Sequence, residues 1–211
     1  MKKRAETLKA KLLTLFKNLS LRWKIFFIVL LNVVSLLLFS LIGFTILSKT
    51  YNELLYRSIA GNLSFSANTI SANLKDVERL SSIILSTPSI QTSLSAIHES
   101  DDAVVRSNAN RSINTALSSY YETFRQNGVS YIVLYNDAFS NTTNWAAYER
   151  TDSAFIHHAL ENAAAGDGAV SWTTGGGSTS GLFLGRNIRK IEALDFSTIG
   201  RLLIYVDTDR L

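Results

Sequence analysis

From Ile25 to Leu47 the chain carries no charged side chain, and its apolar run is interrupted only by Asn32, Ser35, Ser40, Gly43 and Thr45. About 20 residues of helix, rising about 1.5 Å each, cover a bilayer core. A lone segment in lipid satisfies its backbone only as a helix. The run therefore predicts a membrane-crossing helix, and it obliges every other segment to lie on one side of the membrane or the other.

Charge assigns the sides. Lys2, Lys3, Arg4, Lys9, Lys11, Lys17, Arg22 and Lys24 precede the run, against the single acid Glu6. After it, 13 Lys and Arg face 16 Asp and Glu. Basic flanks stay in the cytoplasm, so residues 1–24 are expected inside and residues 48–211 outside the plasma membrane. The net charge of +4 arises in the first 24 residues and indicates no nucleic-acid partner. The run is too long for a signal-peptide core and no A-x-A site follows it, which favours an uncleaved signal anchor. The basic segment either lies on the inner leaflet as an amphipathic helix or is a solvated tail. Without cysteine, the exported part must be held by burial alone. Its length suffices for one ordinary domain. Pro88 is the sole proline, which argues against a proline-rich stalk.

Beyond the membrane run, Lys49–Thr87 reads as one long helix. Tyr56, Leu63, Ile70, Val77 and Ile84 recur at spacing seven, with Ile59, Ala67, Leu74 and Leu80 between them. This heptad-like stripe packs either on the chain's own domain or, in its lower half, on a second copy. Tyr56, Leu63 and Ile70 are the candidate dimer positions. Ser86-Thr87-Pro88-Ser89 reads as a break. Short helices follow at Ser89–Ile97 and after Asp101-Asp102, the latter with the stripe Val105, Ala109, Ile113, Ala116, Leu117 and Tyr120. Gln126-Asn127-Gly128 is a turn signal. Strands are expected at Val129–Tyr135, more weakly at Thr142–Tyr148, and at Ala169–Thr173, Gly181–Ile188 and Ile199–Val206. A helix over Thr151–Ala165, capped by Asp152 and facing inward through Phe155, Ala159 and Leu160, interrupts the strands. Thr174–Gly181 is a glycine-serine loop, and Ile191–Thr198 links the last two strands. Strands joined by short links favour an antiparallel sheet.

No catalytic set emerges. His157 and Glu161 have the spacing of two zinc ligands on a helix, but no third ligand and no H-E-x-x-H pattern accompany them, and surface histidines are the better reading. His98-Glu99 superficially matches a phosphoacceptor pair but lies on the exported side, away from ATP. Gly175-Gly176-Gly177 lacks the lysine of a phosphate loop. Asn62-Leu-Ser64 and Asn141-Thr-Thr143 match glycosylation sequons that arise readily by chance. No metal or cofactor is expected.

One set rises above background: Tyr131, Tyr135, Asn144, Trp145, Tyr148, Trp172, Arg186, Asn187, Tyr205 and Asp207, all near the expected sheet. Aromatic faces suit a sugar or aromatic ligand. Arg186, alone in an apolar strand, can fork onto a carboxylate or donate to a hydroxyl. The competing reading is that aromatics are ordinary strand formers and that Arg186 pairs with an acid such as Asp207.

Several segments together resemble a known family. They are Leu21-Arg-Trp-Lys-Ile-Phe-Phe-Ile at the membrane entry, Lys49-Thr-Tyr-Asn-Glu-Leu-Leu-Tyr, and Val77-Glu-Arg-Leu-Ser-Ser-Ile-Ile-Leu-Ser-Thr-Pro-Ser-Ile-Gln. Late in the chain come Leu182-Phe-Leu-Gly-Arg-Asn-Ile-Arg and Ile199-Gly-Arg-Leu-Leu-Ile-Tyr-Val-Asp. The pattern resembles the input half of YesM-type sensor histidine kinases of Gram-positive bacteria, with a Cache-type extracellular domain. The resemblance implies an α+β fold in which a long helix packs on a PAS-like five-stranded antiparallel sheet, in a membrane homodimer. It divides the chain into a basic tail (1–24), a membrane helix (25–47), a helical region (48–128) and a sensor sheet (129–211). It also implies a second membrane helix, a HAMP linker, a phosphoacceptor-histidine segment and an ATP-binding domain, none of them within these 211 residues. The Tyr, Arg, Trp and Tyr cluster of amino-acid-binding relatives is not found in order. Many relatives govern carbohydrate uptake, so the resemblance implies a sugar or oligosaccharide, or a ligand-loaded binding protein, as the partner. The same input could feed a chemoreceptor or a membrane-bound transcription regulator. A membrane-anchored structural or assembly protein without a small ligand is the alternative of another class.

Overall fold

The computed structural model describes residues 20–136, 138–175, 181–191 and 196–210. The chain divides into two compact units, Met1–Ser64 and Phe65–Leu211.

Helix α1, Leu21–Ser86, is continuous and contributes to both units. Nothing between Ser48 and Thr50 stops it, because Ser, Lys and Thr are all tolerated in a helix and no glycine or proline intervenes. In the first unit it is long and apolar enough to cross a membrane. Its polar residues there bond back to the helix. Asn32 Nδ2 donates to the Ile28 carbonyl at 3.0 Å and Thr45 Oγ1 to that of Leu41 at 2.6 Å. Such local bonding lets polar side chains sit in lipid. Trp23 and Phe26 meet edge to face at the start of the helix, with ring centroids 5.7 Å apart. Aromatic rings there suit a membrane interface.

The second unit has three layers. Helix α2 spans Pro88–Glu99, with proline at its first turn where no intrahelical N–H is needed. Helix α3, Ala103–Phe124, is capped by Asp102, whose carboxylate accepts the Val104 N–H at 2.8 Å. A short 3-10 turn, Arg125–Asn127, ends at Gly128, whose φ of +83° is the left-handed conformation that glycine adopts freely. Strands β1 (Val129–Tyr135), β2 (Ser140–Thr142), β3 (Ser171–Thr174), β4 (Gly181–Arg189) and β5 (Thr198–Asp207) form one antiparallel sheet in the order β2-β1-β5-β4-β3. This is the five-stranded antiparallel sheet expected from the sequence.

The two-residue alternation of the strands sorts side chains between two cores. Ile132, Leu134, Leu184, Ile188, Leu202, Ile204 and Val206 pack under Val77, Leu80 and Ile84 of α1, together with α2 and α3. Tyr131, Val133, Phe183 and Leu203 face the other way, against Phe155, Ile156, Ala159 and Ala163 of α5 (Ser153–Ala165). Close approach of α5 depends on Gly185. A Cβ there would lie 2.8 Å from Ala163 Cβ.

The strand expected at Thr142–Tyr148 is corrected. β2 ends at Thr142, and Trp145–Glu149 forms a short helix, α4. Asn144 decides this by accepting the Ala147 N–H at 3.2 Å, the bond of a helix cap. The stripe on α1 also divides. Val77, Leu80 and Ile84 are fully buried, whereas Tyr56, Leu63 and Ile70 are 75%, 70% and 40% exposed. On α3, Val105 is exposed while Ala109, Ile113 and Leu117 are buried. Most of the glycine-serine loop, and residues 192–195 of the β4–β5 link, lie outside the described residues.

Candidate functional site

The aromatic residues singled out in the sequence do not form one site. The sheet separates them into two groups on opposite faces.

On the α5 face, antiparallel register sets Tyr131 opposite Tyr205, and Tyr205 opposite Phe183. Tyr131 and Tyr205 stack with centroids 5.0 Å apart and planes 18° from parallel. Phe183 meets Tyr205 at 5.0 Å and Phe155 at 4.8 Å. Helix α4 brings Tyr148 edge-on to Tyr131 at 5.8 Å, and exposed Trp145 lies beside Tyr148 at 5.4 Å. The Tyr131 hydroxyl donates to Thr151 Oγ1 at 2.9 Å, and the hydroxyls of Tyr135 and Tyr148 share a hydrogen bond of 2.9 Å. Asp207 follows the alternation onto this face and pairs with Arg210 at 3.4 Å, not with Arg186. A Cβ at Gly181 would overlap the Tyr205 ring, so the start of β4 is held to glycine by this cluster.

Burial raises the pKa of Tyr131 and of Tyr135, the latter aided by its hydrogen bond to Tyr148. Burial also raises that of Tyr205, with the carboxylates of Asp207 and Asp209 adding to it. These phenols stay neutral at physiological pH. Tyr131 is fully buried within the cluster, while half-buried Tyr135 and Tyr205 bring uncharged phenols to its edge. That chemistry suits a polyhydroxylated or aromatic molecule better than an ion.

On the α1 face, Arg186 and Trp172 are already engaged. Arg186 Nε donates to the Gly168 carbonyl at 3.0 Å, and Nη1 donates to Ser82 Oγ at 3.1 Å and Ser81 Oγ at 3.3 Å. Burial lowers its pKa, against the opposing pull of the Glu78 charge. Trp172 Nε1 donates to Glu78 Oε1 at 3.0 Å. This network ties β3 and β4 to the last turns of α1. Arg186 thus bonds to Gly168, Ser81 and Ser82, whereas Asp207, the acid partner the sequence offered for it, pairs with Arg210. Ala67, Ile70, Leu74 and Trp172 line an open apolar groove of about 550 Å³ along α1.

Of the remaining candidates, Asn144 caps α4, and Asn187 Nδ2 donates to the Ala164 carbonyl of α5 at 3.3 Å. His157 and His158 are exposed, and His157 faces Glu161 at 3.3 Å. Among the described residues no group of three potential ligands gathers around a metal site. Phe183 and the Tyr131 partner Thr151 were not singled out in the sequence, and Phe155 was expected only as part of the inward face of its helix. Alternation within Leu182-Phe183-Leu184 would have placed Phe183 on the face of Tyr205. The partners of Arg186 on α1 had no comparable signal.

No family profile and no curated protein matches the chain. Among solved structures, it is similar to the periplasmic domain of Vibrio cholerae LuxQ, with a TM-score of 0.44 and 14% identity over 66% of this chain and 59% of that one. It is also similar to the sensor domain of the Vibrio cholerae histidine kinase DctB, with a TM-score of 0.43 and 13% identity over 74% of this chain and 58% of that one. The chain therefore spans less than two thirds of either structure.

Proposed function

We propose that this chain is the membrane-anchored, extracellular sensory input module of a YesM-type, two-component sensor histidine kinase. It carries a Cache-type ligand domain and its N-terminus lies in the cytoplasm. One observation carries the reading. The helix that contains the membrane-length apolar run continues without a break into the core of the sheet domain, where it contributes Val77, Leu80, Ser81 and Ile84. A ligand that favours one packing of the sheet against these turns biases the same helix that enters the membrane. Signalling of this kind needs two packings of similar energy and a difference in ligand affinity between them.

The ligand face in this reading is the α5 face, with Tyr135, Tyr148, Trp145 and Tyr205 around the buried Tyr131. A saccharide suits its neutral phenols and ring faces. The exposed Tyr56, Leu63 and Ile70 are the surface for a second copy, since a heptad-spaced apolar stripe left in water calls for a helical partner. The test is a thermal melt of the chain in detergent with a panel of oligosaccharides. A concentration-dependent rise in Tm with one class supports the reading. No response to any small ligand, together with stable self-association, would favour an assembly protein instead. Protease added to intact cells should remove the sheet domain and spare an N-terminal tag.

A further inference from the structure

Strand β5 runs through the centre of the sheet, with β1 on one side and β4 on the other. Both faces of a central strand are ordinarily covered, and on the α5 face Leu203 is buried. Two residues earlier on the same face, Arg201 is exposed. Register sets it opposite Tyr135 of β1 and opposite Asn187 of β4. Residues facing each other across antiparallel strands hold their Cβ atoms about 4.5–5.5 Å apart. Arg201 therefore rises from the sheet beside Tyr135, at the edge of the aromatic cluster. Arg201, Tyr135 and Thr198 also line an open cavity of about 210 Å³ at this end of the sheet. That is the space of about seven waters at roughly 30 Å³ each, on the order of one sugar unit.

Among the described residues the Arg201 guanidinium has neither a hydrogen bond nor an ion pair. In this it differs from Arg186, which is tied to Gly168, Ser81 and Ser82. Asp207, the acid on the same face of β5, stands about 20 Å further along the strand and pairs with Arg210. An accessible cation without an acid thus sits beside neutral phenols. We propose that Arg201 recognises the carboxylate of an acidic saccharide, one that contains a uronic acid unit. The inference rests on the saccharide reading of the α5 face and narrows its ligand class. The guanidinium fork matches the two oxygens of a planar carboxylate, and one positive charge meets one negative charge. A uronic acid carries its carboxylate at the edge of the ring. The group can therefore reach sideways to Arg201 while the sugar faces lie against aromatic rings. Tyr135 joins the two parts of the site, because its hydroxyl shares the 2.9 Å hydrogen bond with Tyr148, which stands beside exposed Trp145.

The probes are uronate trisaccharides, each beside its fully methyl-esterified form, titrated into the full chain in detergent micelles and followed by Tm. The ester keeps the rings and hydroxyls and removes the charge. One uronate trimer should raise Tm saturably and bind at least tenfold more tightly than its ester, and added sodium chloride should weaken the acid form alone. Arg201→Gln should fold as the wild type does, because the guanidinium has no partner to lose, and should bind acid and ester equally. Arg201→Lys keeps the charge without the fork and should fall between the two. Equal binding of acid and ester by the wild type, a preference for the acid that survives Arg201→Gln, or a response to neutral oligosaccharides alone would each overturn the acidic ligand and leave the saccharide reading standing. A sulfated trimer bound as tightly as the uronate would overturn the assignment to a carboxylate. No response to any saccharide, acidic or neutral, would overturn both readings.

Discussion

Replacing Arg186 with methionine separates a structural arginine from a ligand-binding one. Methionine keeps much of the length of the side chain and removes every donor. Three hydrogen bonds are lost, to Gly168, Ser82 and Ser81. A hydrogen bond involving a charged group contributes about 1.5–3 kcal/mol when well formed. Only the 3.0 Å bond to the Gly168 carbonyl is both short and shielded, since the Ser82 bond is exposed and the Ser81 bond is 3.3 Å long. The expected loss is therefore about 2 kcal/mol. In a unit of about 150 residues that corresponds to a fall in Tm of about 4–8 °C. Tryptophan fluorescence in detergent micelles reads it, because Trp172 donates to Glu78 in the same network. Glu78→Gln keeps an acceptor for Trp172 while removing the charge, and should cost less than about 1 kcal/mol. The loss from Arg186→Met should be the same with and without saccharide. An unchanged Tm combined with loss of the saccharide response would refute the reasoning and return Arg186 to the binding site.

Three other outcomes follow from the geometry. Cysteines placed singly at Tyr56, Leu63 or Ile70 should crosslink between copies, which requires Cα atoms within about 7 Å, while cysteines at Asn52 or Ser66 should not; uniform crosslinking around α1 would remove the dimer. Tyr131, Tyr135 and Tyr205 have pKa values raised above 10.0 by burial. The folded state then holds its phenolic protons more tightly than the unfolded state, so this stabilisation is complete below pH 10 and is lost as pH rises through the folded pKa values; phenolate absorbance for these residues should appear with unfolding, and appearance before it would contradict their burial. Gly185→Ala should destabilise by about 1–3 kcal/mol through overlap with Ala163, and Ala163→Gly should recover part of that loss in a double-mutant cycle; strict additivity would mean that α5 does not approach the sheet as described.

The elements whose signals are local were legible in the sequence. The apolar run, the caps at Asp102 and Asp152, the turn at Gly128 and the alternation of Val129–Tyr135 each depend on residues within a few positions of one another. They appear in the structure close to where they were expected. Asn144 shows where local reading stops. Its neighbours Trp145 and Tyr148 have strand-forming side chains, yet the side-chain bond from Asn144 to the Ala147 N–H turns the segment into a helix.

The sequence by itself determined that one segment is of membrane-crossing length, which flank of it is basic, and that a long helix leads into a β-rich region. Those properties are sums over consecutive residues, and no distant partner alters them. Only the tertiary structure decided which aromatics share a site. Trp172 and Arg186 looked like companions of Tyr131 and Tyr205, but strand parity sends them to opposite faces of the sheet. Tertiary packing also divided the α1 stripe, covering Val77, Leu80 and Ile84 while leaving Tyr56 and Leu63 in contact with solvent. Heptad spacing records that a face is apolar and not what lies against it. The α1 partners of Arg186, Ser81 and Ser82, are more than 100 residues away in sequence. Contacts of that kind depend on how separate elements come together in space, which no local pattern encodes.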